Sequence, residues 1–537
     1  MVINLKNKSM IGLGCLVILL SLSGVYAQEN GGAVSIQTAQ GVVFNDANQN
    51  GIQDAREKGL ANVCVSNGIE VVKTDPQGKY QIPVEENAII FIIKPSGWKT
   101  PMNALNQPQF YYIHKPEGSP QTKYPGVSPT GPLPVKINFP LYASYENDKF
   151  TAVFLGDPQT GSGPYVDYFL HDIVEEVAGV EASFVATLGD NGANRLDVYP
   201  ALRQAYALMG KPVYPTLGNH DENFDVAGDK YSTETFQKFF GPSYYSYNYG
   251  KVHFIVLDDV FLARESTEHY RGLVVPEELE FIKNDLALVP KDRLVVMMMH
   301  IPLVNLENKQ EVYDLLADRP YTFSISGHTH SQDFRIVRDK DGWKGPNPHF
   351  HFINGTACGM WWGGQKDEVG IPHSMMNDGT PNGYALFHFE GNKFKIQYKA
   401  ARRPADYQMN IFAPNEIEMK DIMTTEVVVN VFAGSDESKV RMRVGKDSPW
   451  IPMAQYEGVD PYYQYLFDET NSAKPSQHGP LFRTRKSTHL WKALLPLKLV
   501  PGTWMVEVET TDVFGTTYLQ RRAIRIKEDS QPEKTEL

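Results

Sequence analysis

Five short polar segments, each preceded by an apolar run, carry the side-chain types that bind divalent metal ions. In chain order they are Gly156-Asp157-Pro158-Gln159, Gly189-Asp190-Asn191, Gly218-Asn219-His220-Asp221, His300 after the run VVMMM, and Gly327-His328-Thr329-His330. Carboxylates, amide oxygens and imidazoles are the ligands that hard and borderline divalent ions prefer. One such segment is weak support for a metal site, but five in this order strongly predict a centre that binds divalent metal.

The elements around these segments predict an α/β domain over residues 148–402. Apolar strands alternate with helical patterns, as in TAVFL, YVDYFLHDIVEEVAG, SFVATL, DVYPALRQAYALMG and PVYPTL. This alternation is typical of parallel strands joined by crossover helices. The reactive loops of such sheets follow the carboxyl ends of the strands, so the five segments are expected to meet at one edge.

The ordered series resembles the calcineurin-like metallophosphoesterase family, whose pattern is D-x-H, GD, GNH, H and GHxH on a four-layer α/β sandwich. The resemblance covers roughly residues 149–400. The flanking parts are similar to those of an exported bacterial subgroup with N- and C-terminal β-sandwich domains. The resemblance implies that the first ion is held by Asp157, Gln159, Asp190 and His330, and the second by Asp190, Asn219, His300 and His328.

Such a centre has a known chemical use. Two ions about 3.5–4 Å apart can share a hydroxide, lower its pKa and clamp the phosphoryl oxygens during in-line attack. The resemblance implies that His220, next to the ligand Asn219, assists the departure of the leaving group as an acid. We further hypothesise that Asp221 orients the imidazole of His220 and raises its pKa.

Gln159 departs from the family pattern, which has histidine at this position. An amide oxygen is neutral and less basic than imidazole, so we expect a weaker first site, or one that prefers manganese or magnesium to zinc. We expect this difference to change which metal binds more than it changes activity, because the other ligands and His220 are present. The expected cofactors are two divalent ions drawn from manganese, iron, zinc and magnesium.

A glycine-rich loop after the last predicted ligand carries two adjacent tryptophans, Trp361 and Trp362. Tryptophan faces suit sugar rings, bases or acyl chains, although packing against the core explains such residues equally well. The resemblance places this loop and the next one beside the metal ions. The predicted substrate contacts are Asn354, Trp361, Trp362, Asn382 and Tyr384.

Short β-branched runs on both sides of the α/β domain predict two all-β sandwich domains, at residues 39–142 and 410–527. The first begins with a stretch that matches the EF-hand calcium loop, with Gly51 at its sixth position. A solvated Asn/Asp turn is the alternative explanation. The predicted calcium ligands are Asp46, Asn48, Asn50, Ile52, Asp54 and Glu57.

The first residues predict an exported protein. Two lysines, an apolar run and Val25-Tyr26-Ala27 form a secretory signal peptide over residues 1–27, cleaved after Ala27, which indicates a secreted or periplasmic location. Residues 28–38 are predicted to be a linker and residues 528–537 a disordered tail. No later segment approaches ~20 uninterrupted apolar residues, so no transmembrane segment is expected after cleavage.

Composition narrows the class of protein. With 537 residues, 42% of them hydrophobic, several domains are expected. Signal cleavage removes Lys6 and Lys8 and no acid, which changes the formal charge from −12 to −14. Such a surface repels polyanions, so no nucleic-acid polymer is expected as a partner. Cys64 and Cys358 lie in different predicted domains, so a disulfide framework is not expected.

These features predict an exported metal-dependent phosphoric ester hydrolase, a phosphatase or phosphodiesterase acting on a phosphorylated small molecule, sugar or lipid. The alternative is a non-catalytic cell-envelope binding or scaffold protein with a vestigial metal centre. A scaffold has no need of four residues that the chain retains, Asp190, His220, His300 and His328, which disfavours this alternative. A metallo-β-lactamase-type hydrolase would need an HxHxDH cluster, which the sequence lacks.

Overall fold

A computed structural model describes residues 36–264, 269–472 and 481–530. The predicted signal peptide, most of the predicted linker and residues 531–537 of the predicted tail lie outside these ranges. The first residues of the predicted tail, 528–530, lie within the described range and contact the C-terminal part. Asp529 accepts the backbone N–H of Lys420 at 2.8 Å, and Ser530 hydrogen-bonds to Glu418 at 2.5 Å.

Two four-stranded sheets form the N-terminal part, with strand orders β4-β1-β8-β6 and β3-β2-β5-β7. The side chains of Val65, Ile82 and Leu141 are completely buried between the sheets, and along β4 buried residues alternate with exposed ones. The strands are β1 (Gln37–Asn45), β2 (Cys64–Ser66), β3 (Val71–Lys73), β4 (Lys79–Val84), β5 (Ala88–Ile93), β6 (Trp98–Lys99), β7 (Tyr111–His114) and β8 (Phe139–Ala143).

The central part contains a five-stranded and a six-stranded sheet that face each other. Its strands are β9 (Lys149–Leu155), β10 (Phe184–Thr187), β11 (Val213–Tyr214), β12 (Tyr245–Tyr249), β13 (Val252–Val256), β14 (Val260–Leu262), β15 (Tyr270–Gly272), β16 (Leu294–Met298), β17 (Thr322–Ser326), β18 (Asp333–Val337), β19 (His349–Ile353), β20 (Gly383–Glu390) and β21 (Lys393–Ala400). One sheet has the order β11-β10-β9-β20-β21, the other β12-β13-β16-β17-β19-β18, and β14 pairs with β15.

Helices connect the strands of the central part. They are α1 (Gly163–Phe169), which continues through a π-helical turn (Leu170–Val174) into α2 (Glu175–Ala178), then α3 (Tyr199–Leu208), α4 (Glu234–Phe240), α5 (Pro276–Leu286) and α6 (Lys309–Leu316). Short 3-10 turns occur at Leu196–Val198, Asn219–Asp221, Asp229–Tyr231, Leu303–Asn305, Asp339–Asp341 and Met419–Asp421. Among the described residues, no helix has the length and apolar character needed to cross a membrane.

Because side chains along each strand point alternately to the two faces of a sheet, the central part packs into four layers. Phe184 of β10 meets Phe254 of β13 between the two sheets, with ring centroids 5.3 Å apart. The neighbouring His253 points the other way and contacts Asp285 of α5 at 2.9 Å. On the opposite outer face, Lys399 of β21 pairs with a glutamate of α2. Apolar side chains thus fill the space between the sheets while helices cover the outer faces, which confirms the predicted four-layer α/β fold.

The C-terminal part again has two facing sheets, with orders β22-β24-β28-β27 and β23-β30-β29-β25-β26. Its strands are β22 (Met409–Phe412), β23 (Glu416–Glu418), β24 (Glu426–Val431), β25 (Lys439–Val444), β26 (Ile451–Pro452), β27 (Ala454–Val459), β28 (Lys486–Leu494), β29 (Gly502–Thr511) and β30 (Thr517–Lys527). It also contains a helix that the all-β prediction lacks, α7 (Pro461–Ser472). Asp460 accepts the N–H of Tyr463 at 2.7 Å and Pro461 starts the helix, a combination typical of helix N-termini.

Candidate metal centre

The five polar segments meet at the carboxyl ends of strands in the two central sheets. Strands β9, β10 and β11 run parallel to one another, as do β13, β16, β17 and β19. Within each sheet the following segments therefore emerge at one edge, and the two edges adjoin, because Asp190 after β10 lies 3.2 Å from Nε2 of His300 after β16. The residues placed there are Asp157 after β9, Asp190 after β10, Asn219 after β11, His300 after β16, and His328 and His330 after β17.

One group of donors consists of Asp157, Asp190 and His330. Their ligand atoms all lie within 4.8 Å of one another, and all three side chains are buried. The Nε2 atom of His330 lies 3.8 Å from Oδ1 of Asp157. Two carboxylates and an imidazole suit a hard or borderline divalent ion, so these residues fit the first of the predicted ions.

A second group of donors surrounds Asn219. Its Oδ1 atom lies 2.8 Å from Nε2 of His300 and 3.0 Å from Nδ1 of His328. The same Nε2 atom of His300 lies 3.2 Å from Oδ1 of Asp190. Asp190 thus contacts both groups, as a ligand shared by two ions must.

The backbone at these positions is strained. Non-glycine residues rarely adopt positive φ angles, each instance costs about 1–3 kcal/mol, and such residues concentrate at functional sites. Five of the seven predicted metal ligands have this conformation. They are Asp157 (φ 40°), Gln159 (41°), Asp190 (52°), His328 (75°) and His330 (47°). The fold holds these side chains at a cost in stability, which favours a functional role over a structural one.

Two glycines allow the strand ends to approach closely. Gly189 has a φ of 90°, and a Cβ atom there would lie 2.4 Å from Nδ1 of His300. A Cβ atom on Gly327 would lie 2.2 Å from Oδ2 of Asp157. Any larger residue at either position would displace a predicted ligand, so the glycines serve close packing as well as turning.

Gln159 lies among the candidate metal ligands, but its amide oxygen does not face them. Its Nε2 donates to Oδ2 of Asp190 at 2.9 Å, while its Oε1 lies 3.6 Å from Sγ of Cys358. The two ends of an amide exchange places by rotation about the last side-chain bond. Coordination by Gln159 therefore requires this rotation, which gives up the hydrogen bond to Asp190.

Backbone carbonyls fix the orientation of two histidines. His300 Nδ1 lies 2.8 Å from the carbonyl oxygen of Leu188, and His330 Nδ1 hydrogen-bonds to that of Gly359. Each ring therefore turns its Nε2 toward the donors, as metal-binding histidines usually do. The Asp259 carboxylate also accepts the N–H of His300 at 3.1 Å. The sequence prediction missed Gly359 and Asp259 because neither belongs to the polar motifs.

Charges in the centre follow from burial and proximity. Burial lowers the pKa of His328 to about 3 and that of His330 to about 4, so both imidazoles are neutral. Burial alone would lower the pKa of His300, but the adjacent Asp190 raises it to about 10. Burial alone would raise the pKa of Asp190, and the charge of His300 lowers it instead. Neutral imidazoles and an ionised carboxylate are the forms that bind metal, so His328, His330 and Asp190 are ready to bind, whereas His300 must release its proton when an ion binds.

The hypothesis that Asp221 orients His220 is wrong. His220 Nδ1 lies 2.9 Å from Oδ1 of Asn194, so this amide holds the imidazole. Asp221 faces inward and is completely buried. The 3-10 turn Asn219–Asp221 turns the chain by about 120° per residue, so consecutive side chains point in different directions.

Asp221 instead joins the loops that carry Asp190 and Asn219. Its carboxylate accepts hydrogen bonds from the backbone N–H groups of Asn191, Gly192 and Gly218, from the Asn191 side chain, and from the Tyr199 hydroxyl. The last of these bonds is 2.9 Å long. The residue is a structural acceptor that positions the metal-binding loops.

Replacing Asp221 with alanine is therefore expected to lower the free energy of unfolding by about 3 kcal/mol or more, because several buried donors lose their acceptor and each costs about 1–3 kcal/mol. The measurement is chemical denaturation of the metal-free protein. Tyr199→Phe is the matched control, since it removes one donor and should cost about 1 kcal/mol. Equal losses for the two variants would contradict this role for Asp221.

The structure corrects four of the five predicted substrate contacts. Asn354 is buried and donates to the carbonyl of Phe154 at 3.2 Å. Trp362 is 3% exposed and donates from Nε1 to the carbonyl of Pro158 at 3.0 Å. These two residues support the loops from within. The other two, Asn382 and Tyr384, are also buried and hydrogen-bond to Asp172 and Glu176, which pins the helix α1–α2 to β20.

Trp361 is the predicted substrate contact that reaches the surface. Its side chain is 36% exposed, and its ring centroid lies 4.4 Å from that of His330. Adjacent residues on this loop thus have opposite roles, because Trp362 packs inward while Trp361 lies beside a predicted metal ligand.

The acidic side chains of the predicted calcium loop accept hydrogen bonds from other groups of the same loop. Asp46 accepts the backbone N–H groups of Asn50 and Gly51 at 3.1 and 2.8 Å. Asp54 accepts the side-chain amides of Asn48 and Asn50, and Glu57 accepts the backbone N–H groups of Ala47 and Asp54. The acids of this loop, Asp46, Asp54 and Glu57, do not form a close metal-binding group among the described residues. Calcium binding by these residues and the Ile52 carbonyl stays a prediction.

Comparison with protein-family models agrees with this architecture. Residues 150–332 match the family model of the calcineurin-like phosphoesterase, residues 47–125 that of its N-terminal part, and residues 351–518 that of its C-terminal part. Among solved structures, a purple acid phosphatase from seeds of yellow lupin (Lupinus luteus) is similar, with 12% identity and a TM-score of 0.34. The similarity covers 63% of this chain and 67% of the lupin chain. No curated protein matches the chain significantly.

Proposed function

Because the chain belongs to the calcineurin-like phosphoesterase family, we propose that it is an exported phosphoesterase that uses two divalent ions to hydrolyse a phosphomonoester or phosphodiester. The observation that carries the proposal is the convergence of two donor groups on Asp190. Strained backbone at most of the predicted ligands supports it, because a structural site has no need of that strain.

The residues present fit two divalent ions. Asp157, Asp190 and His330 would hold one ion, with Gln159 after rotation of its amide, and Asp190, Asn219, His300 and His328 would hold the other. Bound there, the ions supply Lewis-acid chemistry, which activates a water and polarises the phosphoryl group. His328, His330 and Asp190 are in the forms that bind metal, whereas His300 releases its proton when an ion binds.

His220 is placed to protonate the leaving oxygen. Its Nδ1 is held by Asn194, while its Nε2 lies 3.9 Å from Oδ2 of Asp190 and therefore faces the metal centre. The side chain is 27% exposed, so it borders the open side of the site. In its protonated form, His220 donates the Nε2 proton to the oxygen that departs from phosphorus.

The proposal also includes export of the protein from the cytoplasm. The signal peptide predicted at residues 1–27 supports a periplasmic or secreted location. The acidic chain, with a formal charge of −12, supports a small phosphorylated substrate in preference to a nucleic-acid polymer.

Metal dependence tests the proposed function. We expect removal of metal by a chelator to abolish hydrolysis of aryl phosphate mono- and diesters, and readdition of manganese, zinc or magnesium to restore it. Turnover is measured together with the number of ions bound per chain. Two bound ions without turnover on a broad set of esters, or failure to bind two ions, would favour the vestigial-centre alternative.

Gln159→His is the matched variant for this experiment. It supplies the imidazole that the family pattern has at this position, and it should bind the first ion more tightly and prefer zinc more than the natural chain does. Equal metal affinity and equal metal preference in the two chains would show that Gln159 is not a ligand.

A further inference from the structure

Resting on the proposed function, we propose that the C-terminal domain completes the substrate site and selects phosphoesters whose organic group contains a ring. In this proposal, the ring packs against an aromatic wall, defined as Trp361 and Phe482, and Arg485 binds an anionic oxygen of the substrate. Phe482 and Arg485 belong to the C-terminal domain and lie more than a hundred residues beyond the last predicted metal ligand, His330.

Trp361 forms one side of the wall in a conformation that local energetics do not favour. Its φ angle is 50°, and its large apolar side chain remains 36% exposed. Exposure and backbone strain both cost free energy, and the ring lies 4.4 Å from that of His330. A binding role beside the metal centre accounts for both costs.

Phe482 forms the other side of the wall. Its ring centroid lies 4.7 Å from that of Trp361, with the ring planes at 55°, and its side chain is 43% exposed. Two neighbouring aromatic rings, tilted against each other and both partly open to solvent, offer two apolar ring faces next to a predicted metal ligand, at the point where a substrate would extend from the ions. Sugar and aromatic rings bind such surfaces through their faces.

Arg485 brings a positive charge to the same place. Its Nη1 donates to the carbonyl of Thr329 at 3.1 Å, and Thr329 lies between the predicted ligands His328 and His330. A guanidinium has five donors in a fixed planar arrangement that matches phosphate and carboxylate oxygens. Among the described residues, the Thr329 carbonyl is the only acceptor for this side chain, so donors remain for a substrate.

The segment that carries these residues is fixed on both domains. The hydroxyl of Tyr463 on α7 donates to the carbonyl of Phe482 at 3.0 Å. Asn377 of the central part donates to the carbonyl of Arg483 at 3.2 Å and accepts the N–H of Arg485 at 2.9 Å. The wall is therefore preorganised, so little ordering is needed when a ring binds.

The aromatic wall and Arg485 together define the substrate class. A phosphoester with a flat-faced ring, either aromatic or a sugar, gains a stacking contact that an acyclic ester lacks. Arg485 binds a phosphoryl oxygen in either kind of substrate. The wall therefore determines preference between organic groups, and Arg485 contributes affinity for any phosphoryl group.

The test compares unreactive ligands, so that it does not depend on turnover. Calorimetry on the metal-loaded full-length protein measures the Kd of phenylphosphonate, which has a ring, and of methylphosphonate, which has none. In the natural chain we expect phenylphosphonate to bind roughly tenfold tighter, the size of a typical stacking contact. In Phe482→Ala and Trp361→Ala the two Kd values should become nearly equal, whereas Arg485→Ala should weaken both by a similar factor.

Tyr465→Ala is the matched control, because Tyr465 is an exposed aromatic residue on α7 of the same domain, with 54% exposure. It should leave both Kd values unchanged. Turnover of phenyl phosphate, a glucose phosphate and glycerol phosphate by the same variants then separates the two kinds of ring. A Kd ratio that Phe482→Ala and Trp361→Ala do not change, with two ions still bound, would overturn the proposal.

Failure of the proposed function gives a different result. In that case the natural chain turns over no phosphoester with any metal, whatever the Kd values are. Turnover of esters by the natural chain together with an unchanged phosphonate ratio in the variants would leave the proposed function standing and remove only this inference.

Discussion

Asp190→Ala is expected to lower kcat/KM for phosphoester hydrolysis by roughly 10³-fold or more, since loss of even one group that stabilises the transition-state charge costs 10²–10³-fold. The reason is geometric. Asp190 lies among both donor groups, within 4.8 Å of the ligand atoms of Asp157 and His330 and 3.2 Å from Nε2 of His300. Its removal should weaken both ions together, which metal analysis after dialysis would detect.

The conservative variant Asp190→Asn separates charge from shape. It keeps an oxygen that can accept the backbone N–H of His220, now 2.9 Å from Oδ1 of Asp190, but it lacks the negative charge that two cations share. We expect normal folding, reduced metal content and a loss of activity close to that of the alanine variant. Asp167→Ala is the matched control, because this exposed acid lies on α1 and should have no effect. Full activity with two ions in Asp190→Asn would contradict the shared-ligand assignment.

The convergence of the candidate metal ligands was predictable because their positions follow from local patterns. Asp157, Asp190 and His300 each follow an apolar strand, and parallel strands place such residues at one edge. The sequence does not reveal the left-handed backbone at Gln159 or His330, since these residue types seldom adopt it and the surrounding structure imposes it.

Side-chain partners were harder to predict than positions. Asp221 follows His220 in the sequence, yet the 3-10 turn points it into the core, and Asn194 from the preceding loop holds the imidazole instead. Asn382 and Tyr384 resemble polar pocket residues in sequence, but they hydrogen-bond to a helix on the outer face of the sheet. Such pairings depend on how separate elements pack, which local patterns do not specify.

The proposed contribution of the C-terminal domain to the substrate site could not be predicted from the sequence, for the same reason. Phe482 and Arg485 lie in the stretch Phe482-Arg-Thr-Arg-Lys486, which on its own is typical of an exposed strand start. Tertiary contacts with Asn377 and Thr329 bring it to the metal centre. The start of α7 was predictable from the local sequence, because Asp460 followed by Pro461 is typical of a helix N-terminus. It was missed because the segments on either side have the alternating pattern of β-strands.

His220→Ala is expected to lower kcat by roughly 10²–10⁴-fold for esters with alkyl leaving groups, the usual contribution of a general acid. Nε2 of His220 faces the metal centre, 3.9 Å from Asp190, and an alkoxide needs a proton to depart. A nitrophenolate departs without one, so the variant should hydrolyse nitrophenyl phosphate with a much smaller loss. The measurement is kcat for a series of esters of increasing leaving-group pKa, which should fall more steeply in the variant.

Two further variants identify how the imidazole acts. Asn194→Ala removes the partner of Nδ1, 2.9 Å away, and should give a smaller loss with the same dependence on the leaving group, because it misorients the ring without removing it. His171→Ala removes an exposed histidine of the π-helical turn after α1 and should change nothing. An equal loss for alkyl and nitrophenyl esters in His220→Ala would instead mean that His220 stabilises the phosphoryl group, since only a proton donor to the leaving oxygen distinguishes between them.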